Sequence, residues 1–352
     1  MQPDRPLPTR RAVLRGALTV SVGACLSALL AACTSGALTS GRPVSTASQT
    51  PVETANPSPS GLSPRQVPQE LAVIPQGFTS PADLQGTLVE LTYDTYESTT
   101  YEQKTQKLAK RAIIYLPHEY TASKQYNVFY LMHGGWGDET STLGTPGAPS
   151  DFKNVLDNAI AAGEIEPLII VCPTYNNTSP DDSANFSLAL RLNQNYHHEL
   201  LNDLLPAVES KYSSYAASIS SEDLMVSRDH RGFGGFSMGA VATWRTFQHG
   251  LDYFSYFLPM SCGTSLDMDN ILASASNQDG AAYFVWVITG TEDFAHPYDN
   301  GRVELMRNAK NFADSDVSHN GNFAYRVKDG YAHDGVAANE YTYNGLRWFW
   351  NS

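Results

Sequence analysis

Basic residues, cysteines and charge as a whole are in short supply in this 352-residue chain. Lys and Arg number 23 against 36 Asp and Glu, for a net charge of −13. That balance argues against binding to nucleic acid and against a polybasic membrane contact. Four cysteines are present; Cys25 and Cys33 fall in a leader segment, leaving Cys172 and Cys262. Each of these follows an apolar, strand-like run, and in a doubly wound sheet the two strands are separated by two others, roughly 14 Å apart at ordinary strand spacing. A disulfide needs Cα atoms within about 7 Å, so two free, buried thiols are predicted. Charged residues make up only 17% of the chain while aromatics reach 11%, with 19 Tyr. Such a polar-aromatic balance suits an exported protein that handles sugars or aromatic groups. The length allows one large domain with a sizeable core, and no internal repeat is visible.

What is present begins with targeting signals. Thr9 to Arg15, with the pair Arg10-Arg11, reads as a twin-arginine signal, and an apolar run follows from Ala17 to Ala32. The run is short for a spanning helix and reads as a signal-peptide core. It ends in Leu30-Ala31-Ala32-Cys33, which resembles a bacterial lipobox. Cleavage before Cys33 and acylation of its thiol would place a lipid-anchored protein at the cell surface. A plain signal peptide with a chance cysteine is the alternative. From Thr34 to about Pro68 the chain is Ser, Thr, Pro, Ala and Gly with almost no large apolar residue. It cannot bury enough surface to offset its chain entropy, which predicts a disordered tether. The predicted organisation is leader 1–33, tether 34–80 and one folded domain over 81–352.

In that domain, Leu88 to Tyr96 alternates and Lys110 to Pro117 is extended, predicting antiparallel strands at a sheet edge. Tyr126 to Met132 reads as a strand buried on both faces. A helix capped by Ser150 or Asp151 follows, with Phe152, Val155, Leu156 and Ile160 on one face and Gly163 at its end. Leu168 to Val171 is the next strand. A helix then carries Leu201, Leu204, Leu205, Val208 and Tyr212 on one stripe. Strands lead into Ser237, over Phe257–Met260 and Phe284–Ile288, and over Asn322–Lys328, with a closing helix near Glu340 to Phe349. Strands alternating with helices predict an α/β fold with a mostly parallel sheet flanked by helices.

Chemistry collects at the predicted strand ends, where ligands bind in such sheets. Gly235-Phe236-Ser237-Met238-Gly239 has the G-x-S-x-G form of a nucleophile elbow, with Ser237 as nucleophile. A serine needs an imidazole to take its proton. His333, after the last strand, is the predicted base. His133 is expected to brace a loop, and His197 and His198 to sit on the exposed start of a helix. His296 lies too close in sequence to the presumed acid. That acid is Asp293, with Glu292 as runner-up and capping of the next helix as the bland alternative for Asp293. The oxyanion requires two backbone donors, assigned to Gly135 and Met238. Trp136 is a candidate to wall the leaving-group side, or else a core tryptophan. Asp138 and Glu139 are read as anchoring the loop. No cluster supports metal binding. Serine, then acid, then histidine is the order of an α/β-hydrolase fold.

With these motifs in place, the chain resembles the bacterial feruloyl esterases of carbohydrate esterase family one. The likeness rests on Tyr130 to Glu139, Gly163 to Val171, Val208 to Ser213, Gly232 to Ala240, Leu251 to Ser261 and Thr289 to Ala295, and runs colinearly from about Gly86 to the C-terminus. It implies an α/β-hydrolase without metal or organic cofactor, acting on hydroxycinnamoyl or acetyl esters of plant-wall xylan. The family's serine, aspartate and histidine fall on Ser237, Asp293 and His333. Its members usually carry a bulky aromatic after the histidine; this chain has Asp334-Gly335, which leaves room for acetyl or other acyl groups. Formylglutathione hydrolases and mycolyltransferases share the superfamily, so acyl transfer to a sugar hydroxyl, or hydrolysis of another small ester, fits the same triad. A non-catalytic carbohydrate-binding lipoprotein would need the lipobox and tether but neither elbow nor triad.

Overall fold

The alternating residues of β1 (Thr87–Tyr96) pair antiparallel with β2 (Lys107–Leu116), setting Leu88 opposite Tyr115 and Leu91 opposite Ala112. A computed structural model of the protein describes residues 67–277, 282–315 and 321–350. The predicted leader, the lipobox with Cys33 and most of the predicted tether lie outside the described residues. After β3 (Asn127–Met132) comes a small hairpin of β4 (Gly144–Thr145) and β5 (Ala148–Pro149). The remaining strands are β6 (Leu168–Cys172), β7 (Arg231–Phe236), β8 (Tyr256–Met260), β9 (Phe284–Gly290) and β10 (Phe323–Lys328). Eight of them form one sheet in the order β1-β2-β6-β3-β7-β8-β9-β10. Its β1–β2 and β2–β6 pairs are antiparallel, and every pair from β6–β3 to β9–β10 is parallel.

Because successive side chains of a strand point to opposite faces, the central strands feed two cores at once. Val128, Tyr130 and Met132 of β3 join Ile169 and Val171 in one cluster, while Phe129 and Leu131 join Leu168 and Ile170 in the other. The first face is covered by α2 (Phe186–Glu199), α3 (Leu205–Lys211) and α5 (Met238–Gly250); the second by α1 (Asp151–Ala161) and α8 (Gly335–Trp348). The short α4 (Ser221–Val226) and α6 (Met268–Ser274), and α7 (His296–Asn308), complete the set. Ser150 caps α1 as expected, its hydroxyl accepting from the Lys153 N–H, and Gly163 follows the helix at φ +71°. Strands β3 and β7 lie between β6 and β8, and Cys172 and Cys262 are both buried and free. No helix among the described residues is long and apolar enough to cross a membrane.

Three expectations need correction. The predicted tether, 34–80, includes residues 67–80, yet Val67 is buried and Leu71, Ala72, Ile74 and Phe78 pack against the second core. Asn344 of α8 grips Ala72 at both backbone N–H and C=O (2.8 and 2.9 Å), and Arg326 of β10 donates to the Pro68 carbonyl at 2.6 Å. The helix predicted to begin near His197 begins at Phe186, capped by Asn185, and passes through one π turn at Leu200–Leu204 into α3. His197 therefore lies in the last turn of α2, stacked on His249 at 3.9 Å and tilted against His198 at 4.0 Å, rather than on a solvated face. Burial and those neighbouring rings hold its pKa down at about 3. The closing helix starts at Gly335, five residues before the expected Glu340, because Asp334 caps it through the Ala337 N–H.

Candidate active site

Strand β7 ends at Phe236 and α5 begins at Met238, so Ser237 alone makes the turn. Its φ of +60° and ψ of −115° are costly for a residue with a side chain and persist only where the surroundings impose them. Here the Ser237 N–H donates to the Met260 carbonyl at 2.9 Å, and the Ala240 N–H donates to the Ser237 carbonyl at 3.0 Å. The flanking glycines are needed because the elbow crosses the end of β3 backbone to backbone. A Cβ on Gly239 would stand 2.3 Å from the Met132 carbonyl oxygen, and one on Gly235 would stand 2.6 Å from it. As the first residue of α5, Met238 has no intrahelical acceptor for its N–H, which leaves that donor available beside the serine.

The loop after β3 faces this elbow. A Cβ on Gly134 would lie 3.5 Å from Cβ of Ser237, and Gly135 and Met238 line the same cleft as Ser237. His133 is a brace: its Nδ1 donates to the Gly134 carbonyl at 2.7 Å, and its Nε2 meets the Thr174 hydroxyl at 2.8 Å. Burial pushes its pKa down to about 4, so the ring is neutral at neutral pH. Asp138 closes the next turn through the Thr140 N–H (2.8 Å) and hydroxyl, and Glu139 is anchored by Arg111 at 2.8 Å.

After β9, Asp293 accepts from Nδ1 of His333 at 2.9 and 3.0 Å through its two oxygens, and from the Ala295 N–H at 2.7 Å. Asp293 does not cap α7, whose N-cap is Ala295 with no side-chain cap; its bond to the Ala295 N–H closes the turn before that helix. Burial pushes the Asp293 carboxyl up, but hydrogen bonds from His333, Ala295 and the Ser261 hydroxyl outweigh it, and the pKa is lowered. Glu292, the runner-up, is exposed. The imidazole of His333 lies between Phe236, at 4.5 Å, and Phe294, at 4.3 Å, and both rings are tilted against it. Phe236 immediately precedes Ser237, and Phe294 lines the same cleft as Ser237, so the His333 ring packs against residues that adjoin that cleft. With Nδ1 committed to Asp293, Nε2 is the nitrogen that can take a proton.

Trp136 is 80% exposed, Phe294 61% and Phe186 52%, and all three line the cleft. The core-tryptophan alternative for Trp136 is thereby excluded. Large rings left in water around a concave site mark a surface that receives an apolar ligand. Gly263 and Thr264 form the wall next to Phe294, whose ring is what a Cβ on Gly263 would meet. Arg302, paired with buried Asp299 at 2.7 Å, holds this wall by donating to the carbonyls of Cys262 and Thr264. Burial raises the Asp299 carboxyl to about 7 against the pull of Arg302. Phe186, Phe294, Tyr175 and Ser183 were not singled out from the sequence. Asn185 as a helix cap could have revealed Phe186, and adjacency to the acid could have revealed Phe294. Among the described residues no group of three His, Cys, Asp or Glu side chains is placed to hold a metal ion.

A family model described as an esterase matches residues 107–320. Endo-1,4-beta-xylanase Y of Acetivibrio thermocellus is 36% identical over 285 residues, which are 79% of this chain and 24% of that protein. The chain therefore spans about a quarter of that relative's length. A mutant of the feruloyl esterase module from Clostridium thermocellum, complexed with sinapinate, superposes with a TM-score of 0.67 at 33% identity, covering 81% of this chain and 95% of that one. A ferulic acid esterase from the anaerobic fungus Anaeromyces mucronatus shares the fold, with a TM-score of 0.56 at 19% identity over 80% of this chain and 98% of that one.

Proposed function

The chain belongs to the esterase family and has the α/β-hydrolase fold, and from that premise we propose that it hydrolyses hydroxycinnamoyl or acetyl esters carried on plant-wall xylan. In this reading Ser237 Oγ attacks the ester carbonyl while Nε2 of His333 takes its proton. The carbonyl oxygen, now negative, is held by the N–H groups of Gly135 and Met238. Collapse breaks the bond to the sugar oxygen, which leaves with the proton from His333, and the acyl group stays on Ser237. Water then enters, gives its proton to Nε2 and attacks the acyl carbon; the acid leaves and the proton returns to Ser237. Asp293 remains ionised throughout and balances the imidazolium.

The observation that carries this reading is the Asp293–His333 pair, 2.9 Å apart, whose imidazole packs on Phe236, the residue before the strained Ser237 elbow, and on Phe294, which lines the Ser237 cleft. Exposed aromatics around the cleft favour an aromatic acyl group, in keeping with the sinapinate-bound relative. We further propose export by the twin-arginine leader and anchoring through acylated Cys33; an unmodified Cys33 thiol found by mass analysis of the mature protein would remove the anchor. The function is tested by offering methyl ferulate, acetylated xylan and a short aryl acetate to the purified protein and to Ser237→Ala. Turnover of methyl ferulate that vanishes in the variant is expected. Turnover of none of the three, or activity that survives Ser237→Ala, would overturn the proposal.

A further inference from the structure

We infer that Tyr175 is a positioning residue for the oxyanion hole, its hydroxyl acting with the His133 ring to hold the Gly134–Gly135 peptide in the orientation that presents the Gly135 N–H to the cleft. The inference rests on the reading of Ser237 as nucleophile and of Gly135 as an oxyanion donor. A trans peptide is planar, so the N–H of one residue points opposite to the carbonyl of the residue before it. Whatever fixes the Gly134 carbonyl therefore aims the Gly135 N–H. Neither residue has a side chain to resist a flip of this peptide, and glycine permits both orientations. A flipped peptide would put a carbonyl oxygen where the negative oxygen must sit.

Two donors prevent this from the side away from the cleft. The Tyr175 hydroxyl donates to the Gly134 oxygen at 3.0 Å, and Nδ1 of His133 donates to the same oxygen at 2.7 Å. Each donor is itself fixed. The Tyr175 ring is buried and stacks on His133 with centroids 4.5 Å apart. Burial also raises the phenol's pKa, so it stays an O–H donor across any working pH. With Nδ1 donating, neutral His133 must accept at Nε2, and the Thr174 hydroxyl supplies that proton at 2.8 Å. Thr174 is anchored in turn by Lys110, which donates to its carbonyl at 2.7 Å. The far end of the loop is tied by Ser183 and Asn176, both donating to the Gly137 carbonyl (2.7 and 3.0 Å).

The test is Tyr175→Phe in the full chain, which keeps the ring and its stack on His133 and removes only the hydroxyl. Losing an oxyanion donor outright costs about 10²–10³ in kcat; freeing one of two restraints on it is expected to lower kcat on methyl ferulate roughly 10-fold, with KM within about twofold. Phenylboronic acid, whose serine adduct places a negative oxygen in the hole, should bind weaker by the same factor, while inhibition by free ferulate is unchanged. Thr174→Val, which unseats His133 from the other side, should shift both constants in the same direction. Unchanged kcat and boronate affinity in Tyr175→Phe would overturn the inference, as would a loss of ferulate affinity as large as that for the boronate. Ser237→Ala in parallel separates the two levels. Full activity there overturns the esterase reading, whereas an inactive Ser237→Ala beside a fully active Tyr175→Phe overturns the positioning role alone.

Discussion

Asp293→Asn exchanges one oxygen for an NH₂ group of the same shape, and the geometry around it dictates the result. Oδ1 accepts the Ala295 N–H at 2.7 Å, so the amide must keep its oxygen there; the reverse orientation would set two donors head to head in a buried place. The NH₂ group then takes the Oδ2 position, 3.0 Å from Nδ1 of His333, and donates to it. That stabilises the imidazole tautomer with its proton on Nε2, which cannot accept the proton of Ser237. The imidazolium also loses its counter-charge. In serine proteases the corresponding change lowers kcat by about 10⁴, equivalent to roughly 5 kcal/mol on the barrier. Here Oδ1 also lies 2.9 Å from Nδ1, so the productive tautomer keeps an acceptor, and a loss of roughly 10³–10⁴ is expected. Glu292→Gln, at the exposed neighbour, should leave kcat within about twofold. The assay is steady-state hydrolysis of an aryl acetate at fixed pH, with Ser237→Ala setting the background. An Asp293→Asn enzyme keeping more than about a tenth of its kcat, or a larger loss from Glu292→Gln, would refute the assignment of the acid.

Four other outcomes follow from the structure. Gly239→Ala should lower stability by about 1–3 kcal/mol in chemical denaturation and reduce kcat, because its Cβ meets the Met132 and His133 carbonyls (2.3 and 2.9 Å), which cannot swing aside. His133 has a folded pKa of about 4, below its unfolded value near 6.5, so its contribution is fully present above pH ~6.5 and is lost as pH falls toward 4, up to roughly 3 kcal/mol; unfolding free energy should fall less steeply over that window in His133→Gln than in the parent. Phe294→Ala should raise KM for methyl ferulate by roughly 10-fold and alter a short alkyl acetate much less, since it removes an aromatic wall and no reacting atom; equal effects on both substrates would argue against an aromatic acyl pocket. Asp334→Ala should cost about 1 kcal/mol through loss of the α8 cap, with the ratio of feruloyl to acetyl turnover unchanged.

The candidate site residues were legible as residues at strand ends, because each proposed chemistry demands a particular residue type there. The elbow pattern points to Ser237, the strand before Thr291 to Asp293, and the loop after β10 to His333. The sheet was legible for a related reason, since alternation and continuous apolar runs are local. Contacts made across long stretches of chain left no such trace. Residues 67–78 have the composition of a linker and become structure because their few apolar side chains pack on the second core while Asn344, Arg326 and Lys328 satisfy their carbonyls. The start of α2 was hidden because its buried face includes Asn193 and Glu199, which break the apolar stripe. Glu199 is tolerated there because Lys110 and Tyr93 reach it at 2.8 and 2.6 Å from β2 and β1.

The same distinction bears on what the cleft accepts. Judged along the chain, Asp334-Gly335 after the histidine removes an aromatic wall and opens the site to small acyl groups. Judged in space, Asp334 is occupied with capping α8, and a Cβ on Gly335 would meet nothing within 4 Å. The rings that pack on the imidazole are Phe294, next to Asp293, and Phe236, next to Ser237. An aromatic wall can be contributed by the residue after the acid as well as by one after the base, since both flank the same imidazole. On the proposed esterase reading, the departure in sequence therefore does not disfavour an aromatic acyl group, and the side chains to vary in choosing between feruloyl and acetyl esters are Phe294, Phe186 and Trp136, which line the cleft.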